Sequence, residues 1–107
     1  MPDHNSKGHS LTQMMYICNS RGLHARASAR FVRTAEMFKA NIEVTRDGVT
    51  VGGTSIMGLM MLAAGPGTKI LVKASGIEAR QAMDALAQLI DCGFDEDNEG
   101  EKKGVAF

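Results

Sequence analysis

The chain has 107 residues, 44% hydrophobic and 22% charged, which bounds it to one small soluble domain with a modest core. Twelve basic residues balance twelve acidic ones, so no global field draws nucleic acid or an anionic membrane to it, and only local patches can recognise charge. An aromatic content of 5%, with no aromatic pair on a strand to stack bases, argues against an RNA-binding domain.

Residues 1–10 (MPDHNSKGHS) are polar and lack the apolar stretch of a signal peptide, while the most apolar run, residues 56–64, is too short and glycine-interrupted to cross a bilayer. The expectation is a cytoplasmic protein. His4 and His9 sit in this head without any ligand role. Residues 94–107 (FDEDNEGEKKGVAF) also lack sustained periodicity, so 1–10 and 94–107 are expected to be a disordered extension and a disordered acidic tail around a domain at 11–93. Cys18 and Cys92 lie far apart without metal-ligand spacing and read as reduced thiols.

Residues 11–18 place Leu11, Met15 and Ile17 on one side and Thr12, Tyr16 and Cys18 on the other, the alternation of a strand. From Ala25 the period changes. Ser28, Phe31, Val32, Ala35 and Phe38 fall on one helical face, with Arg26, Arg30, Arg33 and Glu36 largely off it, which predicts an amphipathic helix starting at or just after His24. Ile42 and Val44, then Asp47-Gly48, then Val49 and Val51 predict a hairpin, because the tight turn needs positive φ. Ser55 is a good N-cap for a short helix that stops at the Gly65-Pro66-Gly67 run. Residues 68–75 predict a strand with Ile70 and Val72 inward. Residues 77–92 predict a closing helix buried through Ala79, Ala82, Met83, Leu86, Leu89 and Ile90, with Ser75 and Glu78 at capping-box spacing and Gly93 as its C-cap. The order βαββαβα predicts an α+β fold, a two-layer sandwich with helices on one face of an antiparallel sheet and the other face open.

Two stretches carry chemistry. In "RGLHARASARF" a histidine stands at a predicted helix start, where the first amides lack intrahelical partners and the macrodipole is positive, so an anion on that side chain meets donors aimed at it. Arg26 adds a planar guanidinium suited to phosphate oxygens. Gly22 permits a tight backbone approach. Arg21 ahead of it reads either as a solvated loop residue or as a further phosphate or partner contact. In "TSIMGLMM" six apolar side chains exceed what one short helix buries, and Gly58 within it costs roughly 1 kcal/mol relative to alanine. Leu59 and Leu62 are assigned to the core, leaving flexible methionines on the surface.

"GLHARASARFV", followed by "TSIMGLMML" and "GPGTKILVKASG", resembles the HPr family, the histidine phosphocarriers of the bacterial phosphoenolpyruvate phosphotransferase system in its sugar or nitrogen branch. The resemblance spans the whole of the expected domain. It implies an open-faced sandwich of a four-stranded antiparallel sheet with three helices on one face. It implies that His24 takes a phosphoryl group on Nδ1 from enzyme I and passes it to an enzyme IIA. Arg26 and the backbone amides of Ala25 and Ala27 would then hold the phosphate. Ile56, Met57 and Met60 would form an apolar docking patch with Arg26, Arg30 and Arg33 as its positive rim. Ser55 would be the target of a regulatory HPr kinase/phosphorylase, its phosphate placing negative charge inside that patch. Such a protein is a covalent carrier and not an enzyme, needs no metal or organic cofactor, and works as a monomer. Many family members carry proline after the arginine, where this chain has Ala27, an excellent helix former that keeps the helix but not proline's rigid first turn. A second reading within the resemblance is a regulatory binding module of the nitrogen branch, whose phosphorylation state controls target proteins.

Overall fold

Period-two alternation in four separate segments becomes one antiparallel sheet. In the computed structural model, which describes residues 10–95, the strands are β1 (Ser10–Tyr16), β2 (Asn41–Arg46), β3 (Val49–Gly52) and β4 (Lys69–Ser75), and the helices are α1 (Ala25–Glu36), α2 (Ile56–Met61) and α3 (Ala79–Asp91). The sheet order is β1-β4-β2-β3. The register sets Met15 against Ile70, and Val72 against Val44, which in turn faces Val51. One face is therefore a continuous apolar surface. Met15, Ile42, Val44, Ile70, Val72 and Ala74 are all buried there, beneath Phe31, Val32 and Ala35 of α1 and Ala82, Met83, Leu86 and Ile90 of α3. Opposite, Thr12 pairs with Lys73 and Lys73 with Glu43, a polar row on the uncovered side. The fold is the α+β open-faced sandwich expected, with its four-stranded antiparallel sheet and three helices.

The hairpin turn follows from its two residues, since Asp47 and Gly48 take φ of 50° and 82°, the pair of positive values that matches strand twist. Among the described residues no helix is long and apolar enough to cross a membrane. Cys18 and Cys92 are free thiols. The Cys18 thiol donates to the Ile90 carbonyl at 3.2 Å, and the Cys92 thiol to the Leu89 carbonyl at 3.4 Å and to Asp95 Oδ1 at 3.3 Å. Desolvation, reinforced by the Asp95 carboxylate, pushes the Cys92 thiol above its ordinary value.

Three local expectations are corrected. The closing helix begins at Ala79 rather than residue 77, and Ile77 is 85% exposed. No capping box forms: Ser75 is held in the ladder as the last residue of β4, opposite both Ser10 and Asn41. The Glu78 side chain makes no capping bond to its own helix. Its Oε1 instead accepts the Lys39 amide at 2.6 Å, while the Glu78 amide donates to the Lys39 carbonyl at 3.0 Å. This reciprocal pair ties the entry of α3 to the segment between α1 and β2. Helix α1 ends at Glu36 with Met37 as C-cap, so Phe38 packs on the core from beyond the helix.

Ser10 belongs to β1, and Phe94, expected in the tail, is fully buried. Gly93 does take the left-handed conformation after the C-cap Cys92, with φ of 65°. That reversal turns the Phe94 ring back into the core instead of releasing the chain to solvent. The Phe94 carbonyl accepts from Nη1 of Arg30. The expectations for residues 1–9 and 96–107 lie outside the described residues. Phe94→Ala should lower the unfolding free energy by about 3–5 kcal/mol, measured by urea denaturation; a loss below about 1 kcal/mol would show that the ring contributes little.

Candidate functional site

The geometry around His24 is set by the turn that precedes it. The Asn19 side-chain amide donates to the Gly22 carbonyl at 2.9 Å, and the Gly22 amide donates to the Asn19 carbonyl at 3.3 Å. Gly22 itself has φ of 65°. A Cβ there would run into the Ala64 carbonyl oxygen and come within 2.8 Å of Gly65 Cα, so this position needs glycine twice over, for conformation and for space. The close approach lets the Leu23 amide donate to the Ala64 carbonyl at 3.0 Å, while the Leu23 side chain is buried. The loop ahead of α1 is thereby bonded to the loop that follows α2.

His24 is the N-cap residue of α1, in extended conformation with φ of −77° and ψ of −177°. Its side chain makes no capping bond, and the residue is half-buried. Its carbonyl accepts the Ser28 amide at 2.8 Å, the first bond of the helix. Ser28, fully buried, also donates its hydroxyl to the Leu23 carbonyl at 3.1 Å. That side-chain tie helps fix the first turn, in which Ala27 is also buried. The amides of Ala25, Arg26 and Ala27 have no carbonyl four residues back within the helix. These amides and the positive end of the helix dipole lie at the helix start that His24 caps. His24, Leu23 and Arg21 line a shallow cavity of about 210 Å³ whose other wall is Ala63, Ala64 and Gly65.

The expected site residues separate into groups. Arg26 lies exposed in the first turn of α1 beside His24. Arg33 is exposed in the last turn, seven residues beyond Arg26 and about 10 Å along the axis from it. Arg30, expected on the docking rim, is half-buried and reaches back to the Phe94 carbonyl. Its guanidinium fastens the end of the chain beyond α3 to α1, and of the three arginines expected on that rim Arg26 and Arg33 are the exposed ones. Ser55 is the N-cap of α2, its Oγ accepting the Gly58 amide at 2.9 Å. A Cβ on Gly58 would sit 3.0 Å from both Ser55 Oγ and Val51 Cβ, which accounts for a glycine inside a helix. Leu59 and Leu62 are buried as expected, while Ile56, Met57 and Met60 are 40%, 71% and 40% exposed. Helix α2 packs against α1, which brings this apolar surface to the His24 side of the molecule.

Several contributors were not singled out from the sequence. Met61 is 75% exposed and extends the apolar surface; its spacing of four from Met57 was the available signal. Asn19 had only its place in an N-S-R-G turn to mark it. Arg46 donates to the Leu62 carbonyl at 2.9 Å, holding the C-terminal end of α2 from β2, and no local pattern announces that bond. Among the described residues no group of three or more His, Cys, Asp or Glu side chains is placed to hold a metal ion.

Just beyond α2, Ala63 takes φ of 52°, a left-handed conformation that opposes its Cβ. Ala63→Gly is expected to raise stability by about 1 kcal/mol, read from thermal and urea unfolding. Gly22→Ala should lose more than about 2 kcal/mol, and the amide resonances of Leu23 and His24 should shift as the bond to Ala64 is broken. Unchanged resonances would show that the close approach is not needed.

Comparison with known proteins agrees with this geometry. A family model described as "PTS HPr component phosphorylation site" matches residues 11–91. The phosphocarrier protein HPr of Neisseria meningitidis is 49% identical over 86 residues, covering 80% of this chain and 97% of its own. The phosphocarrier protein NPr of Shewanella violacea is 37% identical over 86 residues, covering 80% and 94%. The crystal structure of HPr from Thermoanaerobacter tengcongensis superposes with a TM-score of 0.77 at 38% identity, covering 80% of this chain and 97% of that one. Fold, motif and relatives converge, and the chain belongs to the HPr family of phosphocarrier proteins of the phosphotransferase system.

Proposed function

We propose that His24 is the phosphoryl acceptor of this carrier, charged by enzyme I and discharged to an enzyme IIA in the cytoplasm. The observation that carries the reading is the placing of a half-buried histidine at the N-cap of α1, against a cavity at the helix start. The Nδ1 lone pair attacks the phosphorus as the bond to the donor breaks, its electron pair leaving with the donor. Charge on the three non-bridging oxygens is met by the amides of Ala25 and Ala27, by the helix dipole and by Arg26. The second transfer runs the same geometry with roles exchanged, and the acceptor's nucleophile takes the phosphoryl while the pair of the P–N bond returns to His24. The protein supplies orientation and electrostatics to reactions that its partners catalyse.

Ile56, Met57 and Met60, with Met61, supply an adaptable apolar surface for successive partners, and Arg26 and Arg33 give it a positive edge. Ser55 is exposed and its hydroxyl oxygen lies at the start of this surface. A phosphate there would oppose acidic partners by like charge. The nitrogen-branch reading retains the same chemistry at His24 and differs only in which proteins dock.

With phosphoenolpyruvate and enzyme I, the protein should gain one acid-labile phosphoryl group, seen by mass spectrometry, and His24→Ala should gain none. Phosphorylation of the His24→Ala variant at another residue under these conditions would refute the assignment. Arg26→Gln should slow the transfer by about 10- to 100-fold, with unchanged thermal stability. Ser55→Asp should slow it by at least about tenfold; an unchanged rate counts against the regulatory role of Ser55.

A further inference from the structure

Arg21 is the residue near His24 whose role is still unassigned. Arg21 belongs to the wall of the same cavity as His24, and the remaining wall is Leu23, Ala63, Ala64 and Gly65, with no acidic residue among them. Arg26 is not part of that wall. The backbone that carries Arg21 is pinned on both sides, by the Asn19 to Gly22 bonds and by the Leu23 amide on Ala64. Other arginines have their donors engaged: Arg30 on the Phe94 carbonyl and Arg46 on that of Leu62. Among the described residues the Arg21 guanidinium makes no hydrogen bond or ion pair. A planar cation held three residues before the imidazole, on a fixed turn and with unspent donors, is suited to oxygens that arrive only when His24 is charged.

We infer that Arg21 is a second phosphoryl-binding residue, which contacts the group carried on His24 from the cavity side, as Arg26 and the helix amides contact it from the helix side. This rests on the reading of His24 as acceptor. Because the contact exists only in the phosphorylated form, it stabilises that form selectively. It therefore lowers the transfer potential of the carrier and shifts the equilibrium with the donor toward phosphorylated protein. The contact is at the surface, so salt weakens it.

The full chain, Arg21→Gln, Arg21→Lys and the control Arg80→Gln, which removes a charge from exposed α3 surface, are each equilibrated with enzyme I in mixtures of phosphoenolpyruvate and excess pyruvate. The phosphorylated fraction is read by phosphorus NMR. The expected result is an equilibrium constant lowered roughly three- to tenfold in Arg21→Gln, partial recovery in Arg21→Lys, no change in Arg80→Gln, and a phosphorus resonance displaced only in the Arg21 variants. Raising the salt should shrink the difference between wild type and Arg21→Gln. Equal melting temperatures of the uncharged proteins would separate this from a structural loss, and Arg21→Lys preserves the comparison should Arg21→Gln be unstable. A wild-type equilibrium in Arg21→Gln, or an equal drop in Arg80→Gln, overturns the role of Arg21 while leaving His24 as acceptor. Failure of the wild-type chain to become phosphorylated on His24 overturns both.

Discussion

The backbone hydrogen bond from the Leu23 amide to the Ala64 carbonyl joins the two halves of the candidate site at His24, while Ile17 ties the same two segments farther back through the Thr68 carbonyl and the Gly67 amide. It exists because Gly22 has no side chain and a backbone that bends the left-handed way. Removing either property breaks the close approach at Leu23 and Ala64, where the loop carrying His24 meets the other wall of its cavity. The arrangement puts His24, the proposed acceptor, at the end of a loop whose backbone is tied to the elements on either side. Burial of Leu23 and the Ser28 hydroxyl on the Leu23 carbonyl hold the same point from the core side.

Packing and chemistry are linked through α2. Its inner residues, Leu59 and Leu62, are spent on the core, and its outer ones are left to water. The helix is only six residues long, too short to be stable on its own strength, so its position comes from contacts at each end. At the start, the Ser55 hydroxyl satisfies the Gly58 amide; at the finish, Arg46 takes the Leu62 carbonyl. The apolar surface beside His24 is thus held by polar bonds at its margins, which leaves the methionine side chains free to adapt without the helix shifting.

Much of the fold was legible because β2 and β4 bury one face and leave the other more open, and burial writes a period of two into the chain. Ile70 and Val72 against Lys69, Leu71 and Lys73 show it in β4. Helix α1 was equally plain, since Phe31, Val32 and Ala35 fall on one stripe. What was not legible depends on partners distant in the chain. Ser75 and Glu78 have the spacing of a local cap, but strand pairing claims the first and the Lys39 amide claims the second. Phe94 stands ahead of an acidic run and reads as solvated, while a left-handed Gly93 returns it to the core. Arg30 looks like its exposed neighbours in α1, and only its partner 64 residues away distinguishes it. In the site, His24, Arg26 and Ser55 were visible because helix starts have local signatures. Asn19 and Arg46 were not, since each acts through a backbone carbonyl that carries no residue-type signal.

The strand order has a consequence for how the molecule comes into being. β4, residues 69–75, sits between β1 and β2, so the first strand made waits unpaired at one side of a gap that is filled only late in synthesis. Until then the β2–β3 hairpin is the sole piece of sheet that can assemble, and its apolar side has no neighbour to complete it. Closure is therefore a non-local, cooperative event that follows the emergence of nearly the entire domain from the ribosome. Nascent chains arrested before residue 69 would present an incomplete sheet to the cell's chaperones.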